Sequence, residues 1–158
     1  MKTIRASDND PLNVDDHRKR PMDYDLRICT WNVRTLNREG ALIQLADALD
    51  KIKADITAIQ EVRWLGQGCS KQASCDIYYS CHAERRELGC GFVVGRRLRH
   101  HVSRFTPVNE RLATIRIKAR FFHISLICAH APTEEKDDSV KDSTRDSRKY
   151  MTAARPTT

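Results

Sequence analysis

The apolar periodicity of this chain changes once, near residue 61, and that change constrains the fold more than any single motif. In "EGALIQLADALDKIKAD", from Glu39 to Asp55, Leu42, Leu45, Ala46, Leu49 and Ile52 recur at helical spacing and leave the charged residues on the other side. Short apolar runs flank this helix, "LRICTWNV" before it and "DITAIQE" (Asp55 to Glu61) after it, so the chain opens as a β-α-β unit. Beyond Glu61 the helical period is gone. "DIYYSC", "GCGFVVG", "HVSRFTPV", "LATIRIK" and "FFHISLICAHAPT" read as strands, separated by Gly, Asn, Arg-rich or Pro-bearing turns. Leu112, Thr114, Arg116 and Lys118 alternate against Ala113, Ile115 and Ile117 before "KAR" turns the chain, which predicts a hairpin. One helix followed by a strand-rich meander implies an α/β sandwich with at least one mixed or antiparallel sheet.

Composition narrows the class. A chain of 158 residues is about one domain long, and 40% hydrophobic with 31% charged residues excludes collagen-like and wholly disordered chains. No apolar run approaches the roughly 20 residues that span a bilayer, and residues 1–25 contain no stretch resembling a secretory signal. The expectation is a protein that stays inside the cell, nuclear or cytoplasmic, and contacts no membrane. The six cysteines (Cys29, Cys69, Cys75, Cys81, Cys90, Cys128) form no Cys-x-x-Cys and are expected to be reduced. The competing zinc site, from Cys69, Cys75, Cys81 and His82, has poor ligand spacing. Net charge is +7, of which residues 26–142 carry +5 (nineteen basic, fourteen acidic). That excess suits a polyanion such as nucleic acid, or is ordinary solubilising charge.

The two ends differ from the middle. Residues 1–24 are polar, hold Pro11, Pro21 and the triplet Arg18, Lys19, Arg20, and read as a flexible leader. The acidic stretch "TEEKDDSVKD" reads as a loop leading into a helix, and residues 143–158 keep neither period and read as a disordered tail. One set of codons compatible with that tail encodes "FYERLEKVYDSCPPHD" in another frame, with a helical stripe that residues 143–158 lack. A frameshifted tail is therefore a hypothesis, and a coding sequence incompatible with that reading would end it.

Three strand ends place polar residues directly after apolar runs: Asn32 after "LRICTW", Gln60 and Glu61 after "DITAI", and His130 with Thr133 after "SLICA". The carboxyl ends of neighbouring strands are where α/β folds build sites. Each residue also has a plain structural explanation: Asn32 as a turn cap, Glu61 as a partner of Arg63, His130 as a satisfied strand-end histidine. Together they supply an amide, a carboxylate suited to a hard cation and an imidazole. Mg²⁺ needs only one or two protein carboxylates plus substrate phosphate, so the implied chemistry is phosphoester cleavage.

As a set, "TWNVRTL", "ADITAIQEVRW", "GCGFVV" and "ICAHAPTEE" resemble the endonuclease/exonuclease/phosphatase superfamily over residues 26–142. The nearest likeness is to the apurinic-type endonuclease domains of non-LTR retrotransposons and to craniofacial development protein 2-like proteins. The resemblance implies a four-layered α/β/β/α sandwich of the DNase I-like type and metal-dependent cleavage of phosphodiesters, usually in DNA. By motif position it implies that Asn32 orients the active-site network, that Glu61 binds Mg²⁺ (or Mn²⁺), and that His130 contacts the scissile phosphate. Arg34, Arg63 and Thr133 are added as phosphate or nucleic-acid contacts, although Thr133 stands where the family often has Asn.

The chain also departs from the family. Its "GDFN"-type and "SDH"-type motifs, which position the attacking water and supply an essential histidine, are not among the 158 residues. Residues 25–142 thus read as about the first half of the domain, inactive in this form. Two other functions stay open: a non-catalytic remnant that binds nucleic acid or protein through residues such as Arg96, Arg97 and Arg99, and a phosphatase for small phosphoesters.

Overall fold

A computed structural model describes residues 25–131. The leader, Thr133, the acidic stretch to residue 142 and the tail lie outside the described residues.

Strand β1 (Ile28–Asn32) is followed by helix α1 (Ala41–Lys51) and strand β2 (Ile56–Gln60). Six further strands complete the described chain: β3 (Gln67–Lys71), β4 (Cys75–Ser80), β5 (Cys90–Gly95), β6 (Val102–Asn109), β7 (Leu112–Lys118) and β8 (His123–Ala129). The first five strands form one sheet in the order β1-β2-β5-β4-β3, and the last three form a second in the order β6-β7-β8. Among the described strands only β1 and β2 run parallel, with Asn32 opposite Gln60, because α1 carries the chain back across the sheet between them. Every other pair is antiparallel, including the expected β7–β8 hairpin with Ile115 opposite Leu126.

Two apolar layers hold these elements. Leu45 and Leu49 of α1 pack with Ile59, Ile77 and Val93 on one face of the five-stranded sheet. On its other face Ile56, Phe92 and Val94 meet Ala113, Ile115, Ile117 and Cys128 of the three-stranded sheet. The described residues therefore supply three of the four expected layers, helix on sheet on sheet. Ser80 Oγ donates to the Asn109 carbonyl at 2.8 Å, and Gly89 N–H donates to the Glu110 carbonyl at 3.1 Å, bridging from one sheet to the other. At Gly91 strands β4 and β5 approach so closely that an added Cβ would lie 2.0 Å from the Tyr78 carbonyl oxygen.

Two expectations about elements are corrected. Ile52, placed on the buried stripe by its spacing, is exposed, because the helix ends at Lys51 and Ile52 is already its C-terminal cap. Lys53 adopts the left-handed conformation (φ 53°) and Ala54 N–H closes onto the Leu49 carbonyl at 3.0 Å, which turns the chain into β2. The sequence reading also missed β3. "QGCSK" has no apolar alternation and occupies the sheet edge, where backbone pairing with β4 alone makes the strand.

Candidate active site

The carboxyl ends of β1 and β2 lie side by side, and the chain leaves both in tight turns. Glu61, the first residue after β2, has φ 58°, and Arg34 and Arg63 have φ 58° and 57°. Side chains other than glycine pay for that conformation, and such strain tends to collect where a site must be shaped. The turns are stitched together: Val33 N–H donates to the Gln60 carbonyl and Leu36 N–H to the Val62 carbonyl, each at 3.0 Å. The Asn37 amide donates to the Arg63 carbonyl, and Arg86 donates to Asn37 Oδ1 at 2.9 Å.

Within this frame Asn32 Nδ2 donates to Glu61 Oε1 at 2.7 Å, while Asn32 Oδ1 accepts from the Arg34 backbone N–H at 3.0 Å. Arg63 donates to the other carboxylate oxygen, Oε2, at 3.0 Å. The Asn32 hydrogen bond, opposed by partial burial and helped by Arg63, holds the Glu61 carboxyl below its ordinary range. The turn-cap and ion-pair explanations of Asn32 and Glu61 are thus both true, and they coexist with the Asn32–Glu61 bond.

His130 reaches the same place from the other sheet. It follows β8, its N–H donates to the Arg111 carbonyl at 2.9 Å, and its ring is near enough for Glu61 and His130 each to feel the other's charge. Its Nδ1 is buried without a hydrogen-bond partner. Burial, reinforced by the Arg111 charge and opposed by Glu61, pushes the imidazole pKa down, so the ring favours its neutral form. Arg111 went unnoticed in the sequence. Its guanidinium donates to the Ala131 carbonyl at 3.3 Å and the His130 carbonyl at 3.4 Å, a role no local pattern announces.

Asn32, Glu61, Arg63 and His130 are therefore brought together, and Arg34 joins through its backbone. Thr133 lies outside the described residues. Among the described residues no three His, Cys, Asp or Glu side chains gather as a metal cluster, including Cys69, Cys75, Cys81 and His82. The described cysteines are free thiols. A cavity of about 370 Å³ opens elsewhere, lined by Leu49, Lys53, Asp55 and Arg96, and none of the site residues borders it. Among the described residues no helix is long and apolar enough to cross a membrane.

The backbone is similar to a solved structure, the endonuclease domain of TRAS1, a telomere-specific non-LTR retrotransposon, with a TM-score of 0.55 and 17% sequence identity. This is an α/β fold of the DNase I-like type. The match covers 80% of this chain and 55% of that domain. In sequence, the chain is 29% identical over 122 residues to craniofacial development protein 2 of Bos taurus, covering 77% of the chain and 20% of that protein. It is 31% identical over 106 residues to the protein of the same name from Tragulus javanicus, covering 67% of the chain and 18% of that protein. The chain thus spans about one fifth of the length of these curated relatives. No protein-family model matches it.

Proposed function

We propose that the Asn32, Glu61 and His130 constellation belongs to a Mg²⁺-dependent (or Mn²⁺-dependent) site for cleaving phosphodiesters in DNA. The observation that carries this reading is the 2.7 Å bond from Asn32 to Glu61, because it holds one carboxylate charged and fixed at the mouth of the sheet. The residues fit a hard cation that keeps most of its waters: Glu61 is the single carboxylate such an ion requires, and His130 offers an orphaned buried nitrogen beside it. Glu61 would hold the metal, which supplies neutralisation of charge on a phosphoryl oxygen and on the leaving oxygen.

The protein's own residues do the rest. Asn32 orients Glu61, and the exposed Arg63 releases Oε2 and turns its guanidinium to a phosphate. His130, neutral near pH 7, donates or accepts one hydrogen bond at the scissile phosphate, and Arg34 adds a positive charge at the rim. The mild basic excess and the endonuclease-like fold support DNA over small phosphoesters.

In this chain alone the constellation binds more than it cleaves. The motifs that place the attacking water in the resembling family are not in the 158 residues, and positioning groups in phosphoryl transfer act as a unit. The test is a supercoiled-plasmid assay on the full chain with Mg²⁺ or with EDTA, beside a binding titration across a salt series. Salt-sensitive DNA binding that Mg²⁺ strengthens, and that Glu61→Gln uncouples from Mg²⁺, is the expected result. DNA binding that ignores both Mg²⁺ and Glu61→Gln would favour a non-catalytic remnant, and no DNA binding at low salt would sink both readings.

A further inference from the structure

Two buried thiols, one from each sheet, meet in the inter-sheet core. Cys90 opens β5 and is 0% exposed, Cys128 lies on β8 and is 1% exposed, and both belong to the one apolar cluster buried between the sheets. Cys128 Sγ also lies 3.4 Å from the Gln60 amide nitrogen and 3.4 Å from the Ile59 carbonyl oxygen. Cys90 Sγ is 3.9 Å from the Asn109 carbonyl oxygen.

We propose that Cys90 and Cys128 form a redox-modification site, at which a hydroperoxide converts the pair into a disulfide that joins the two sheets. Access comes from one side. A groove of about 310 Å³ runs between the β1 and β8 edges, is lined by Thr30, Ala58, Gln60, Leu126 and Cys128, and admits a molecule as small as peroxide. The two sulfurs are unequal. Cys128 borders the groove, whereas Cys90 lies behind it in the core. Cys128 is thus the nucleophile and Cys90 the partner that keeps its proton.

The chemistry balances. Cys128 thiolate attacks one peroxide oxygen, the O–O bond breaks, and hydroxide leaves and takes up the proton that Cys128 gave up, forming water. The sulfenic acid at Cys128 is then attacked by the Cys90 sulfur, the S–O bond breaks, and the hydroxyl departs with the Cys90 proton as a second water. Two thiols lose two electrons, and peroxide gains them.

Cys75 and Cys81 are buried with thiols pushed up, that of Cys81 to about 11, and Cys69 sits exposed on the edge strand β3 with its thiol also raised. The proposal stands apart from the nuclease reading, because it rests on core contacts that exist whether or not DNA is the substrate. It would nonetheless be felt at the site, since Gln60 precedes Glu61 and Cys128 lies two residues before His130.

The experiment treats the full chain with hydrogen peroxide at pH 7, blocks remaining thiols with a maleimide, and maps peptides by mass spectrometry without reduction. The expected result is a Cys90 peptide joined to a Cys128 peptide, reversed by dithiothreitol, as the dominant intramolecular product. Cys90→Ala should abolish the cross-link and leave a Cys128 sulfenic acid that a dimedone probe captures, while Cys69→Ser should leave the cross-link intact. The proposal is overturned if Cys90 and Cys128 of the parent protein are both recovered as maleimide adducts while other cysteines oxidise. It is equally overturned if Cys128 oxidises to sulfinic acid without ever joining Cys90.

Discussion

Asn32 and Glu61, at the ends of two parallel strands and 29 residues apart in sequence, are joined by a 2.7 Å hydrogen bond in which the amide donates to the carboxylate. That bond is the largest cause of the depressed Glu61 pKa. Asn32→Ala should therefore raise the Glu61 pKa, read by NMR of the carboxyl carbon, and, under the proposed function, weaken Mg²⁺ binding about tenfold, on the scale of a hydrogen bond to a charged group. An unchanged Glu61 titration would separate the two residues functionally.

Acid should loosen the fold in two stages. The His130 pKa is lowered on folding from about 6.5, so the unfolded chain binds that proton more readily and stability is lost as pH falls below that value toward the folded pKa. The Glu61 pKa is lowered from 4.5, so its stabilisation is present above that value and is lost as pH falls through the folded pKa. Urea midpoints measured from pH 7.5 to 3.5 should decline across both windows. His130→Gln should flatten the upper one.

Arg111 sets the state of His130 through its charge and through its hold on the 130–131 backbone. Arg111→Met keeps much of the side-chain length without the charge. The imidazole proton NMR signal should then titrate at a higher pH than in the parent, and a downward move would contradict the assigned cause.

The inter-sheet core should carry far more stability than the helix surface. Phe92 is fully buried between the sheets, and Phe92→Ala should cost about 3–5 kcal/mol in chemical denaturation. Ile43 is 68% exposed on α1, and Ile43→Ala should change stability by no more than about 0.5 kcal/mol. Similar costs for the two would mean that the sheets do not pack as described.

Gly91 is expected to tolerate no side chain. A Cβ there meets backbone rather than a side chain that can swing away, so Gly91→Ala should force β4 and β5 apart and sharply reduce soluble yield. A Gly40→Ala control meets no atom within 4 Å and bears only the strain of its positive φ, so it should remain soluble.

Local periodicity was enough to locate α1, most strands and the three polar strand ends, because a helix or strand that buries one face must repeat its apolar residues at its own period. Leu45 and Leu49, and the alternation through Ile115 and Ile117, are of this kind, and so is the placement of Asn32, Glu61 and His130 just past apolar runs. Periodicity says which face is buried but not what covers it. The order β1-β2-β5-β4-β3, the edge strand β3, the Arg111 support of His130 and the meeting of Cys90 with Cys128 all depend on contacts between residues distant in sequence. Only the stacking of two sheets, which brings the end of β8 over the end of β2, gathered into one candidate site residues that the sequence presents one at a time.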